Sequence, residues 1–316
     1  MSNEIHEAIE EFGLIRKDKT KSLFSKIGIV GCGVVGQNIA LAASSCGIEV
    51  VFLELNDEKI SEVTAKMGRV LDFRIEHWGL TQGEKRAILS RITGTLDYSQ
   101  LTGCDCVIEA VNAYTHDGNI AERKTIFKHI ENVVAPDCII ATNSNTVEIT
   151  ELSSELTHRE RTVCLHFLVS SPEAVAVEVV KGLYTSDVAY EKICQFVTML
   201  RRKVIPVVES AGLVSVRLLV VLLNEACTAV MEGIASISDV DETMRIGLGM
   251  RMGPFEVADK IGLDKLELWM ENVYNEFGDI RYKPSPLIKR LVRAKQTGVS
   301  AGKGFYKYDD NGHKIS

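Results

Sequence analysis

KIGIVGCGVVGQNIALAASSCGIEVVFLE, residues 26–54, decides the fold. Residues 26–31 form a short β-type run that ends in glycine, and residues 34–46 carry the apolar spacing of a helix. Residues 49–54 form a second β run. Strand, helix and strand in so short a span predict a βαβ unit, because parallel strands need a crossover helix between them. The loop between strand and helix reads Gly31-Cys32-Gly33-Val34-Val35-Gly36. A G-x-G-x-x-G is weak by itself, but here it follows a strand, opens a helix and precedes an acidic residue, Glu54, at the end of the next strand.

Each residue of that loop has a physical reason. Gly31 permits the tight turn, Gly33 lets a backbone approach a pyrophosphate, and Gly36 lets the helix pack close to the strand. The free N–H groups of the helix start, with their partial positive charge, suit phosphate oxygens. Glu54 is placed to accept hydrogen bonds from ribose hydroxyls and would repel a 2′-phosphate, so NAD is expected over NADP.

Outward from this unit, strands are expected at 106–111, 138–142, 162–168, 175–181 and 203–208. Helical segments at 57–78, 82–90, 120–133 and 187–201 alternate with them, which predicts an α/β fold, a Rossmann-type doubly wound parallel sheet. After Gly212 apolar residues recur every three or four positions through 213–234, 238–247, 262–277 and 286–296, with no convincing strand. The expected division is an N-terminal extension at 1–24, a Rossmann domain at 25–209 and an all-helical C-terminal domain at 210–316. Ile5, Ala8, Ile9 and Phe12 predict a short amphipathic helix in the extension.

The net charge of −7 over 316 residues gives no electrostatic reason to expect a nucleic acid or an anionic membrane as partner. The apolar run 214–231 contains Arg217, Asn224 and Glu225, which argues for a buried helix and against a membrane span. The first residues mix charges and lack the apolar core of a secretory signal. Eight cysteines scattered through apolar segments read as buried thiols and point to a reducing, cytoplasmic setting. Cys104 and Cys106 lack the spacing of a zinc site, so no metal is expected.

CLHFLVSSPEAVAVEVV, residues 164–180, is almost wholly apolar yet carries His166 and Glu178. A satisfied core histidine and a surface glutamate would be the ordinary reading. Beside it stand KIGIVGCGVVG, CVIEAV, IIATNSNTVEIT, HF at 166–167, VEVVKG at 177–182, GLVSVRLL at 212–219, MGPFEVADKIGLD at 252–264, and KPSPL with GKGFYKY. In order and nearly without gaps, these resemble the 3-hydroxyacyl-CoA dehydrogenase family, its 3-hydroxybutyryl-CoA dehydrogenases in particular.

The resemblance implies an NAD-dependent enzyme that interconverts 3-hydroxyacyl and 3-oxoacyl thioesters, short-chain CoA thioesters first, and a helix-mediated homodimer. The alternatives are a relative acting on a carrier-protein thioester or a free hydroxy acid or diketone, or a dinucleotide-binding relative without catalysis. It places a catalytic pair on His166 and Glu178 and a substrate-contacting role on Asn145. Its cofactor contacts fall on Gly31, Gly33, Val34, Val35, Gly36, Glu54, Glu109, Lys124 and Asn143. The chain also departs from the family. Asn-Thr-Ser-Ser becomes Asn143-Ser144-Asn145-Thr146, where Asn145 can still donate a hydrogen bond. Two asparagines become Val169 and Val216, and a lysine is missing from residues 298–302. His77 and Gly79 stand where lysines are common, and residues 111–127 carry a few extra residues, with Arg123 and Lys124 at their end.

Overall fold

The computed structural model describes residues 23–77, 79–111, 119–168 and 175–315. The expected helix in the extension, Val169 and most of the extra residues near Tyr114 lie outside them.

Among the described residues eight strands form one sheet in the order β3-β2-β1-β4-β5-β6-β7-β8. They are β1 (Lys26–Val30), β2 (Glu49–Leu53), β3 (Ile92–Thr95), β4 (Cys106–Glu109), β5 (Ile139–Thr142), β6 (Thr162–Phe167), β7 (Ala176–Lys181) and β8 (Lys203–Val208). Every neighbouring pair is parallel except β6–β7, which is antiparallel. The sheet is therefore mostly parallel, the doubly wound Rossmann-type arrangement that was expected. Strands β4, β5 and β6 are buried at every residue, which explains their unbroken apolar sequence.

Helices α1 (Val34–Ser45), α2 (Asp57–Glu76), α3 (Gln82–Leu89) and α6 (Asp187–Met199) cover one face, with Phe24, Phe52, Met67 and Phe196 in the core between. Helices α4 (Ile120–Val133) and α5 (Ile149–Leu152) cover the other, over Val107, Phe127, Ile140 and Leu152. Asn56 starts α2 by accepting the Lys59 N–H at 2.8 Å, and Thr81 with Glu84 makes a capping box at α3.

Beyond β8 come α7 (Ser215–Met231), α8 (Ile237–Glu242), α9 (Pro254–Ile261), α10 (Leu263–Phe277) and α11 (Pro286–Arg293). They enclose a separate core of Val220, Leu223, Phe255, Leu266 and Met270. Arg217, the charge inside the apolar run, lies 4.7 Å from the centre of the Phe277 ring and donates to the Tyr282 hydroxyl at 3.1 Å. Among the described residues no helix is long and apolar enough to cross a membrane.

The C-terminal GFYKY segment is fastened to α9. Asp259 accepts the N–H groups of Phe305 and Tyr306 and the Tyr308 hydroxyl, each at 2.9 Å. Gly304 makes this possible, since a Cβ there would stand 2.0 Å from Asp259 Oδ1.

Several details correct the sequence reading. Phe24, assigned to the extension, is fully buried, its ring centre 4.9 Å from that of Phe196. Strand β3 was not expected, because ITGT is short and carries a glycine. Helix α9 falls between the expected helical stretches 238–247 and 262–277 and was not foreseen; only the Gly262 turn divides it from α10. A two-stranded hairpin, β9 (Lys307–Tyr308) with β10 (Lys314–Ile315), interrupts the all-helical half. Cys46 is exposed and Cys194 half-buried, whereas the other six thiols are buried.

Candidate active site

The antiparallel pair β6–β7 sets His166 directly opposite Glu178. Residues facing each other across such a pair point to the same side of the sheet, so both side chains meet. His166 Nδ1 lies 2.7 Å from Glu178 Oε2. Both are buried, at 7% and 2% exposure, which fits a paired charge and not a surface glutamate.

Glu178 accepts more than the imidazole. The Ser215 hydroxyl donates to Oε2 at 2.7 Å, and the backbone N–H groups of Ser215 and Val214 donate to Oε1 at 2.9 and 3.2 Å. Burial alone would raise this carboxyl, but hydrogen bonds from His166 and Ser215 outweigh it and hold its pKa below the ordinary glutamate value. With Nδ1–H donated to a carboxylate, Nε2 is the basic nitrogen of the ring.

His166 Nε2 faces Asn145, whose Nδ2 is 3.5 Å away, a loose contact with both groups turned to the same cleft. Asn145 is steadied by the Gly212 N–H, which donates to its carbonyl at 2.8 Å. Asn143 Oδ1 accepts the Phe167 N–H at 3.0 Å, tying the end of β5 to the end of β6. The cleft, about 460 Å³, runs from Val34, Val35 and Val111 past Asn143, Asn145 and His166 to Val216, Leu219, Leu268 and Trp269 of the helical half.

At the other end of this cleft the glycine loop forms a cradle. Gly31 has φ +84°, and a Cβ on Gly36 would stand 2.7 Å from the Gly31 carbonyl oxygen. Helix α1 begins at Gly33 with no side-chain cap and no acidic residue in its first turn, and Val34 is 68% exposed. An uncapped helix start facing a cleft fits the pyrophosphate of a dinucleotide. Glu54 Oε1 accepts the Cys32 N–H at 2.7 Å, which holds the carboxylate beside the loop where a ribose would lie.

Two expected cofactor residues sit differently. Glu109 is fully buried and pairs with Arg123 at 2.5 Å, and Thr142 bonds the same oxygen at 2.7 Å. Arg123, only 3% exposed, also donates to Ser144 Oγ at 3.2 Å and lines the cleft. Lys124 turns away from it and pairs with Glu151 at 3.6 Å, since consecutive helix residues do not share a face. Among the described residues no cluster of His, Cys, Asp and Glu could hold a metal ion.

Two family models match the chain in tandem. Residues 26–210 match "3-hydroxyacyl-CoA dehydrogenase, NAD binding domain", and residues 212–308 match "3-hydroxyacyl-CoA dehydrogenase, C-terminal domain". The chain belongs to the 3-hydroxyacyl-CoA dehydrogenase family. A 3-hydroxybutyryl-CoA dehydrogenase of Clostridioides difficile is 32% identical over 284 residues, 90% of this chain and 99% of the relative. The crystal structure of FadB2 from M. tuberculosis superposes with a TM-score of 0.86 at 31% identity, covering 90% of this chain and 99% of that one. The (S)-3-hydroxybutyryl-CoA dehydrogenase of Ralstonia eutropha gives 0.83 at 33%, covering 91% and 100%. This 3-hydroxyacyl-CoA dehydrogenase family member is an NAD-dependent dehydrogenase.

In this dehydrogenase the residue that sequence reasoning missed is Ser215. Its signal was faint: a hydroxyl at the opening of a strongly apolar helix, three residues after Gly212. Arg123 reads in the sequence as a charge at a helix start, and its burial against Glu109 is a tertiary fact that no local pattern carries.

Proposed function

We propose that the protein oxidises 3-hydroxyacyl thioesters to 3-oxoacyl thioesters with NAD, and reverses the reaction with NADH, the natural reference being a short-chain CoA thioester. The observation that carries this is His166 Nε2 facing the cleft while Nδ1 is held by Glu178. Bound NAD supplies the hydride acceptor. His166 takes the hydroxyl proton as the hydride leaves C3, and returns it in the reverse direction. Glu178 keeps the ring oriented and offsets the charge of the imidazolium. Asn145 donates to the substrate oxygen, and the α1 start with Glu54 holds the dinucleotide.

In this reading residues 25–209 carry the cofactor and residues 210–316 close the substrate side. The exposed Leu218, Met231, Ile234, Ile246 and Leu248 of the helical half support a homodimer formed through it. Eight free cysteines support a cytoplasmic setting. The test is NADH oxidation with acetoacetyl-CoA, measured beside a free 3-oxo acid such as acetoacetate. Turnover of the thioester alone supports the proposal. Turnover of the free acid alone, or of neither compound nor any longer 3-oxoacyl-CoA, would sink it.

A further inference from the structure

Helix α7 opens without a cap of its own. Its first flanking residue, Val214, has no side chain able to accept, and the N–H groups of Val214 and Ser215 turn instead to Glu178 on β7. Glu178 thus stands at the positive end of a 17-residue helix as well as beside His166. Its two oxygens receive four donors: two backbone N–H groups on Oε1, and the Ser215 hydroxyl and His166 Nδ1 on Oε2. An ionised carboxylate has about four acceptor sites, so a proton could bind Glu178 only by displacing a donor.

The serine does a second thing. Its single hydroxyl proton is spent on Oε2 at 2.7 Å, so it turns lone pairs toward His166 Nδ1, 3.4 Å away. A ring with its proton on Nε2 would set the bare Nδ1 against two acceptor oxygens at once. The tautomer with Nδ1–H meets both favourably.

We propose that Ser215 is a positioning residue of this site: its hydroxyl saturates Glu178 as a fixed carboxylate and thereby holds His166 in the tautomer whose Nε2 is basic. The proposal rests on the acid–base role assigned above to His166. Other titratable groups face the same region. Cys164, two residues back on β6, is neutral because burial pushes its thiol far up. Arg123 of α4 is matched by Glu109. The far wall adds Lys260, Asp264, Lys265, Glu267 and Glu271 from α9 and α10. All of these are common to wild type and to a serine variant, so a difference between the two isolates the hydroxyl.

The test compares wild type with Ser215→Ala and Ser215→Thr. In the intact protein without substrate, the ¹⁵N shifts of the His166 ring should report one Nδ1–H tautomer in wild type and in the threonine variant. The alanine variant should show a tautomer mixture. With 3-hydroxybutyryl-CoA and NAD, the acid limb of kcat/KM should move up by about 0.5–1 pH unit in Ser215→Ala, the size expected when one hydrogen bond to a charged group is withdrawn. Its kcat should fall roughly tenfold on the same ground, with the KM for NAD unchanged. Threonine should restore both. Unaltered ring shifts and an unmoved acid limb in Ser215→Ala would overturn the proposal, as would equal loss in the threonine variant. If wild type turns over no CoA thioester at all, the functional reading fails, and the ring shifts still decide the role of Ser215.

Discussion

Glutamine at position 166 keeps a polar side chain of similar reach but cannot accept a proton near neutral pH. His166→Gln should therefore lower kcat by about 10²–10⁴-fold and leave NADH affinity close to wild type by fluorescence titration. Glu178→Gln should do the same, and the double variant should be no worse than the poorer single one, since the two act as a unit. Near-normal turnover in His166→Gln would make it a core histidine after all. Glu178 also carries a pH signature. Its folded pKa lies below the unfolded value, so its contribution to stability is present above the unfolded pKa and drains away as pH falls through the folded one. Urea unfolding of Glu178→Gln should show a flatter acid side than wild type. Val216 yields a prediction about substrate. It is buried, lines the cleft next to Ser215 and offers no hydrogen bond where the family has asparagine. Acetoacetyl-CoA should be a poor substrate for wild type, with bulkier acyl groups preferred, and Val216→Asn should improve it; measured kcat/KM values no better in the variant would reject this. The pairing of His166 with Glu178 was legible only through the family resemblance, since two ionisable residues in an apolar run read alone as a core histidine and a surface glutamate. Ser215 was not, because a serine at a helix start has many ordinary explanations and its partner lies far along the chain.

Elements position these side chains through two devices, a strand register and a helix start. The β6–β7 register sets His166 opposite Glu178, and a slip of one residue would turn His166 away from Glu178 to the other side of the sheet. That register could not be read beforehand, because an apolar run buried on both faces carries no alternation to reveal which residues face each other. The βαβ start was readable, since glycine spacing, strand and acidic residue all agree at once. At that element Glu54 should set cofactor choice: wild type should use NADH far better than NADPH, and Glu54→Ala should raise the KM for NADH and narrow the gap. Equal use of both by wild type would defeat the assignment. The short β3 and the separate α9 escaped notice for a shared reason. A glycine in a four-residue strand and a glycine between two helices give the same local signal as a loop.

On the scale of the molecule, hydrogen bonds tie the sheet to the helical half beyond those at Glu178. Asn272 Nδ2 donates to Thr146 Oγ1 at 3.1 Å, and the Gly212 N–H reaches the Asn145 carbonyl. The helical core is closed by its own C-terminal strap on Asp259. Gly304→Ala should push the strap off that carboxylate and cost roughly 2–4 kcal/mol, the scale of a strained close contact with lost hydrogen bonds. It should appear as a lower Tm with the kcat of the surviving folded enzyme little changed. The shift from alternating strands to helices near residue 210 was plain in the sequence, whereas the strap was not, since its anchor is a buried aspartate on a distant helix. The junction itself bears on recombination between relatives. Glu178 belongs to the sheet, while three of its four donors arrive with the first turn of α7. A hybrid joined at residue 210 to the helical half of another relative would inherit the two N–H donors from any donor sequence, because the backbone provides them. The hydroxyl would come only from a relative with serine or threonine at that position, so such hybrids should fold alike yet differ in how firmly their histidine is held.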